Sequence, residues 1–166
     1  MKSDKVDLFL LRHGIAEEIN PEIEDSSRNL TKEGRKKVGY VIDQLKQWGF
    51  EADQIFSSPY SRARETAEIA LQKRLGKRLK IIDELKPSGS IFPLLKDLTG
   101  KNLFVGHEPC LTALTSVLIN SSKNSIVLKK AGFIHLNWSK SNLVTLGTAK
   151  LECLIKPSML INKYLG

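Results

Sequence analysis

Three short apolar runs in this chain each stop at a polar turn that carries histidine, serine or arginine. Residues 6–11 lead into Arg12-His13-Gly14. Residues 53–56 lead into Ser57-Ser58-Pro59-Tyr60-Ser61-Arg62. Residues 101–105 lead into Gly106-His107-Glu108-Pro109. Apolar runs this short, bounded by turn residues, read as buried strands. Helical patterns lie between and after them. Thr31 caps the first, with Val38, Val41, Ile42, Leu45 and Trp48 on its inner face and Gly49 at its end. Ser58-Pro59 reads as an N-cap and first-turn proline before a face of Ala63, Ala67, Ala70 and Leu71. Pro109 opens a third helix with Leu111, Leu114, Thr115 and Leu118 inward. Strands that alternate with helices in this way build βαβ units around a mainly parallel sheet.

The remaining segments are less regular. Residues 17–29 are polar, contain Pro21 and read as a loop. It bears five acids, Glu17, Glu18, Glu22, Glu24 and Asp25. An ordinary mobile surface loop is the expectation, with steering of substrates as the alternative. Residues 81–82 read as a short strand and 91–98 as a helix. Residues 133–138 and 143–151 read as two late strands, a hairpin across 139–142, which adds an antiparallel edge. The expected architecture is a three-layer helix-sheet-helix α/β fold with a mainly parallel central sheet. A single domain over residues 1–166 accommodates it. Hydrophobic residues at 41% and charged residues at 27% argue for a packed chain rather than a disordered one.

The formal charge is +8, from 26 basic and 18 acidic residues. Such a balance suits an anionic partner, and equally a lysine-rich surface that keeps the protein dissolved. Aromatic residues at 7% argue against a nucleic-acid surface, where bases stack on interleaved rings. No apolar run approaches the roughly 20 residues needed to span a bilayer, so no membrane association is expected. Residues 1–7 are short and charged and do not resemble a signal peptide. Cys110 and Cys153 form no disulfide framework, which suits a reducing, cytoplasmic setting. Three histidines and two cysteines are too scattered for a metal motif. Neither a Walker loop nor a dinucleotide fingerprint follows the first strand. No metal and no cofactor are expected.

Ligands of open α/β sheets bind beyond the carboxyl ends of the strands. If the three strands are parallel, two histidines and two arginines share that edge. Helix starts there favour an anion, and arginine matches phosphate oxygens with a planar fork of donors. A neutral histidine nitrogen is a competent nucleophile and splits phosphoryl transfer into two easier steps. His13 and His107 stand beside glycines at strand ends, whereas His135 sits in an apolar strand and reads as a sheet residue. Arg12 adjoins a buried strand and therefore needs an anion or a carboxylate. Arg64, Arg74 and Arg78 read as solvated. Ser57 and Ser58 are nucleophile candidates, but N-capping is the commoner role, and no Gly-x-Ser-x-Gly elbow is present.

These motifs resemble the histidine phosphatase superfamily, also called phosphoglycerate mutase-like, and within it the SixA-type phosphohistidine phosphatases. The resemblance rests on Leu11-Arg12-His13-Gly14, on the 25–34 segment DSSRNLTKEG and on Ser57-Ser58-Pro59 with Arg62-Ala63 and Thr66-Ala67. It also rests on Val105-Gly106-His107-Glu108-Pro109 and on Lys129-Lys130-Ala131-Gly132. It implies that His13 attacks phosphorus, that Arg12, Arg62 and His107 hold the phosphoryl oxygens, and that water hydrolyses the phosphohistidine intermediate. Gly14 and Ser57 are expected to line the substrate site. Glu84 is the candidate by position for the carboxylic acid that larger members use on alkoxide leaving groups. Glu108 stands where many members have asparagine. Its carboxylate either favours protonated His107 or points away along the helix. The implied activity is metal-independent hydrolysis of phosphohistidine on a protein, by a monomer. The alternatives are a broad phosphomonoesterase, a phosphomutase, and a phosphate- or nucleic-acid-binding module.

Overall fold

The computed structural model describes residues 4–160; the start of the charged 1–7 segment lies outside the described residues. The strands are β1 (Lys5–Arg12), β2 (Gln54–Ser57), β3 (Leu79–Ile81), β4 (Lys101–Gly106), β5 (Phe133–Ser139) and β6 (Lys150–Ile155). The helices are α1 (Lys32–Gln47), α2 (Ser61–Gln72), α3 (Cys110–Leu118) and the short α4 (Pro157–Leu160). One sheet runs β3-β2-β4-β1-β5-β6. The first four strands in that order are parallel, while β5 is antiparallel to both β1 and β6. The expected parallel sheet with an antiparallel edge is therefore what forms.

Strand alternation splits the core into two layers. Phe9 and Leu11 of β1 and Leu103 and Val105 of β4 face α1 and α2, against Val41, Ile42, Leu45, Ala63, Ala67 and Ala70. Leu8, Leu10 and Phe104 face the other way, against Leu111, Leu114 and Leu118 of α3. Small alanines on α2 let that helix approach the sheet closely, which brings its first turn over the carboxyl ends of the strands. Thr31 caps α1 as expected, its side chain accepting from the Gly34 amide at 2.9 Å.

Four expectations are corrected. The last strand is β6, not residues 143–151. Thr148 Oγ1 donates to the carbonyls of Leu143 and Thr145, folding residues 143–148 into a turn with Leu143 82% exposed. Its apolar residues imitate a strand but face solvent. Residues 92–97 form a 3-10 helix, with Pro93 at its start, rather than an α-helix. Trp48 is the exposed C-cap of α1 and not part of its buried face. Tyr60, not Ser58, occupies the N-cap of α2, so Pro59 precedes the helix.

The junction of β1 with α1 leaves no room for side chains. A Cβ on Gly34 would stand 2.1 Å from the Ile15 carbonyl oxygen, a backbone atom that cannot swing aside. That carbonyl accepts from the Thr31 amide, so the clash falls on the turn just after His13. Gly34→Ala is expected to destabilise the fold by about 1–3 kcal/mol, the cost of overpacking a tight contact. A lowered urea midpoint with unchanged slope is the readout.

Candidate active site

Sheet register places the three turns side by side. Arg12 pairs with Gly106 across β1 and β4, and Ser57 pairs with Val105 across β2 and β4. Backbone hydrogen bonds extend the pairing past the strand ends. The His13 amide donates to Gly106 at 3.1 Å, and the Ser58 amide donates to Val105 at 3.1 Å. On the other side of β1, the Ala131 amide donates to the carbonyls of both Arg12 and His13. Ala131 adopts φ +60° to do so. The residues expected to converge do converge, on the carboxyl edge of the parallel strands.

His13 is only 7% exposed. Its Nδ1 lies 2.7 Å from the Gly14 carbonyl oxygen. A carbonyl only accepts, so Nδ1 carries the proton and Nε2 keeps the lone pair. Burial lowers the His13 pKa to about 4; the Gly14 bond opposes this, while Arg62, Arg12 and Lys130 add to it. The His107 ring lies 5.1 Å away, centroid to centroid. Its Nε2 is 2.8 Å from Ser58 Oγ, and the Tyr60 ring meets it edge-on. Burial lowers the His107 pKa to about 3, with His13, Arg62 and Arg12 contributing and Asp25 opposing. Both imidazoles are therefore neutral near pH 7.

Two arginines supply the charge. Arg62, 4% exposed on the first turn of α2, donates to the Asp25 carbonyl at 2.7 Å and to Asp25 Oδ2 at 3.0 Å. Its guanidinium lies 5.0 Å from the Tyr60 ring centroid. Arg28 grips Asp25 Oδ1 and the Glu17 carbonyl. Partial burial raises the Asp25 pKa, but hydrogen bonds from Arg28 and Arg62 outweigh it and hold the carboxyl below its ordinary value. The 17–29 loop is closed on itself through Glu17, Arg28 and Asn29 and joined to the pocket wall through Asp25. Arg12 donates to the Leu128 carbonyl; of the two partners expected for it, an anion or a carboxylate, no carboxylate hydrogen bond is seen among the described residues. Burial lowers its pKa, with Glu108 opposing.

Among the described residues, three buried side-chain atoms have no hydrogen-bond partner: Arg12 Nε, Arg62 Nε and His107 Nδ1. All three belong to this cluster. Buried polar atoms are nearly always paired in folded proteins, so their concentration here marks a place where a ligand completes the bonding. Oxygens of a tetrahedral oxyanion are acceptors that suit arginine N–H donors.

The other expected residues fall differently. The Gly14 amide donates to Thr66 Oγ1 at 3.1 Å, and a Cβ there would strike Val38 at 2.5 Å. Gly14 therefore serves close packing, not an open donor. Ser57 is fully buried and its hydroxyl donates to the Ser58 carbonyl. Glu84 lies exposed on a 3-10 turn, Asp83–Leu85, and its side chain has no ion pair or hydrogen bond among the described residues. Cys110 Sγ donates to the Pro87 carbonyl, keeping that segment beside α3. Glu108 accepts from the Thr112 amide and hydroxyl, so its carboxylate caps the first turn of α3 and points along the helix. His135 donates to Asp7 within the sheet, as a sheet residue. Asp25, Arg28 and Tyr60 are wall residues whose roles pattern reading did not assign, and Ser58, read as an N-cap or nucleophile candidate, instead faces His107. The 25–28 spacing of an acid and an arginine was the available signal for two of them. Among the described residues no cluster of histidine, cysteine or acidic side chains is placed to hold a metal ion. No helix among them is long and apolar enough to cross a membrane.

The chain is similar to known proteins. The family model of the histidine phosphatase superfamily (branch 1) matches residues 8–87. An uncharacterized protein of Picosynechococcus sp. is 31% identical over 94% of this chain and 99% of its own length. The structure of the protein histidine phosphatase SixA complexed with tungstate superposes with a TM-score of 0.79 at 21% identity, covering 93% of this chain and 99% of that one. A phosphoserine phosphatase of Entamoeba histolytica in complex with 3-phosphoglyceric acid gives a TM-score of 0.71 at 18% identity, over 94% and 100% of the two chains.

The two buried imidazoles have a measurable consequence. Ring-proton NMR titration is expected to give midpoints below pH 5 for both His13 and His107. A midpoint near 6.5 for either contradicts the burial described. The unfolded chain takes up these protons at about pH 6.5 while the folded chain excludes them until about pH 4 or 3. Stability therefore falls as pH drops through that window, and chemical denaturation at several pH values reports it.

Proposed function

From the premise that the chain belongs to the histidine phosphatase superfamily and is a phosphatase, we propose that it hydrolyses phosphohistidine on a protein through a covalent intermediate on His13. The observation that carries this reading is the free Nε2 lone pair of a neutral, buried His13 beside three unpartnered nitrogen atoms. Nε2 attacks phosphorus, a P–N bond forms to His13, and the bond to the leaving group breaks. Arg12, Arg62 and His107 hold the equatorial oxygens through the transition state, where preorganised donors have their largest effect. Water then attacks the phosphorylated His13 and releases inorganic phosphate, returning the imidazole to its neutral form.

The leaving group favours phosphohistidine. An alkoxide departs well only when an acid protonates it. Asp25, the carboxylate that touches the pocket wall, is held ionised between two arginines, and Glu108 is bound to Thr112. An imidazole leaves with less help. Glu84 favours the second reading, a phosphomonoesterase on small esters, because it is uncommitted and its turn lies near the end of β4.

Phosphate release from a phosphohistidine peptide and from p-nitrophenyl phosphate, with EDTA present, separates the two. Release is expected to resist EDTA and to prefer the peptide. His13→Ala is expected to lose about 10³-fold or more, since the nucleophile itself is gone. Glu84→Gln is expected to leave peptide turnover unchanged. Preference for the small ester, with loss of that activity in Glu84→Gln, establishes the second reading instead.

A further inference from the structure

Ser58 is fully buried, and its surroundings leave its hydroxyl few choices. The Tyr60 amide donates to Ser58 Oγ at 3.2 Å, which uses one lone pair. The other hydrogen-bond partner of that oxygen among the described residues is His107 Nε2, at 2.8 Å. His107 Nδ1 is buried and has no partner among the described residues.

Two proton arrangements are open to this pair. If Nε2 carries the imidazole proton and donates to Ser58, the serine hydroxyl hydrogen is buried without an acceptor. Nδ1 is then also left as an unpaired acceptor among arginines. That arrangement strands two polar groups. If Ser58 donates to Nε2, the hydroxyl is satisfied on both sides, and a single group remains, the Nδ1–H. Each stranded buried group costs its full desolvation, so the second arrangement is favoured. It also makes the three unpartnered atoms of the pocket alike. Arg12 Nε, Arg62 Nε and His107 Nδ1 are then all N–H donors, and one oxyanion completes all three.

We propose that Ser58 is a positioning residue that fixes His107 as the neutral Nδ1–H tautomer and so makes it a donor to the transferring phosphoryl group. Ser58 touches neither phosphorus nor nucleophile; it acts through His107. Neutral His107 normally has two tautomers, and the ring nitrogen that faces a substrate is set by the bond at the other one. Here the Ser58 hydroxyl is that bond. The backbone holds it in place, since the Ser58 amide is itself pinned to Val105 of β4. The inference rests on the phosphatase reading only for its catalytic consequence, because the tautomer belongs to the resting protein.

Long-range ¹H–¹⁵N correlation of the imidazoles, in the ¹⁵N-histidine-labelled full chain at pH 7 without ligand, tests it. The chain has three histidines, and His107→Gln identifies the His107 signals by their loss. In the wild type, His107 Nδ1 is expected to show the protonated shift and Nε2 the unprotonated one. In Ser58→Ala, both shifts are expected to move toward a tautomer mixture, with the His135 signals unchanged as a report on the sheet. In the same variant kcat for phosphate release is expected to fall about two- to fivefold with KM little changed, as the donor form becomes one of two populated tautomers. Ser58→Thr keeps the hydroxyl and is expected to keep the wild-type signature. A protonated Nε2 in the wild type overturns the proposal without any variant. So does a Ser58→Ala protein that keeps both the signature and kcat. A change of preferred substrate, by contrast, overturns only the phosphohistidine reading and leaves the tautomer result standing.

Discussion

The site depends on where β1 ends. β1 is the one strand with parallel β4 on one side and antiparallel β5 on the other, and both neighbours outlast it by a residue of backbone hydrogen bonding. The His13 amide is held by Gly106, and its carbonyl is held by Ala131. A nucleophile on a free loop would have to be ordered at each turnover, and His13 is the nucleophile proposed. Here that ordering is done by the sheet itself, because a register slip of one residue would turn every side chain of β1 to the opposite face. Phe9 and Leu11 would leave one core layer and Leu8 and Leu10 the other, so the apolar alternation guards the position of His13.

Charge is arranged around that point with care for solvation. Burying a guanidinium is costly unless its hydrogens are met. Arg62 meets the cost with Asp25, whose carbonyl and carboxylate occupy both terminal nitrogens, and with the Tyr60 face. Among the described residues Arg12 uses only the Leu128 carbonyl. Asp25 is in turn shared with Arg28, so an exposed carboxylate joins a buried arginine to an outer one. The acidic loop is thereby part of the electrostatic frame of the pocket. Its Asp25 offsets positive charge that would otherwise accumulate, while leaving the two Nε–H groups for a ligand.

Much of this was legible in the sequence, and the reasons are specific. The strand-turn-helix repeats and the alanine spacing of α2 are local signals, and they located Arg12, His13, Arg62 and His107 at one edge. Signals failed where apolar residues served no core. Leu143 and Leu146 imitate a strand, yet Thr148 bends that segment into a turn through its own hydroxyl. Trp48 continues a helical stripe past the last residue the core can reach. Gly14 and Ser57 sit beside the right residues in sequence, but the pleat turns Ser57 inward and packing against Val38 claims Gly14. Asp25 lies 37 positions from Arg62, and no periodicity links the two. Contacts of that range follow from the packing of α2 on the sheet, which only the fold discloses.

Neutral histidines between positive arginines are the feature that unifies these observations. Water-exposed imidazoles near pH 7 are partly protonated, and a protonated His13 has no lone pair to offer. Burial acts first and most strongly on both rings, and the nearby cations push in the same direction. The same cations that the proposed reaction sets on the phosphoryl group therefore help keep the His13 lone pair free. Arrival of a dianion reverses the local field. It screens His13 and His107 from Arg12 and Arg62 and makes a proton on His107 less costly. A pocket built this way leaves the His13 lone pair free when empty and gains donor strength when a dianion enters it.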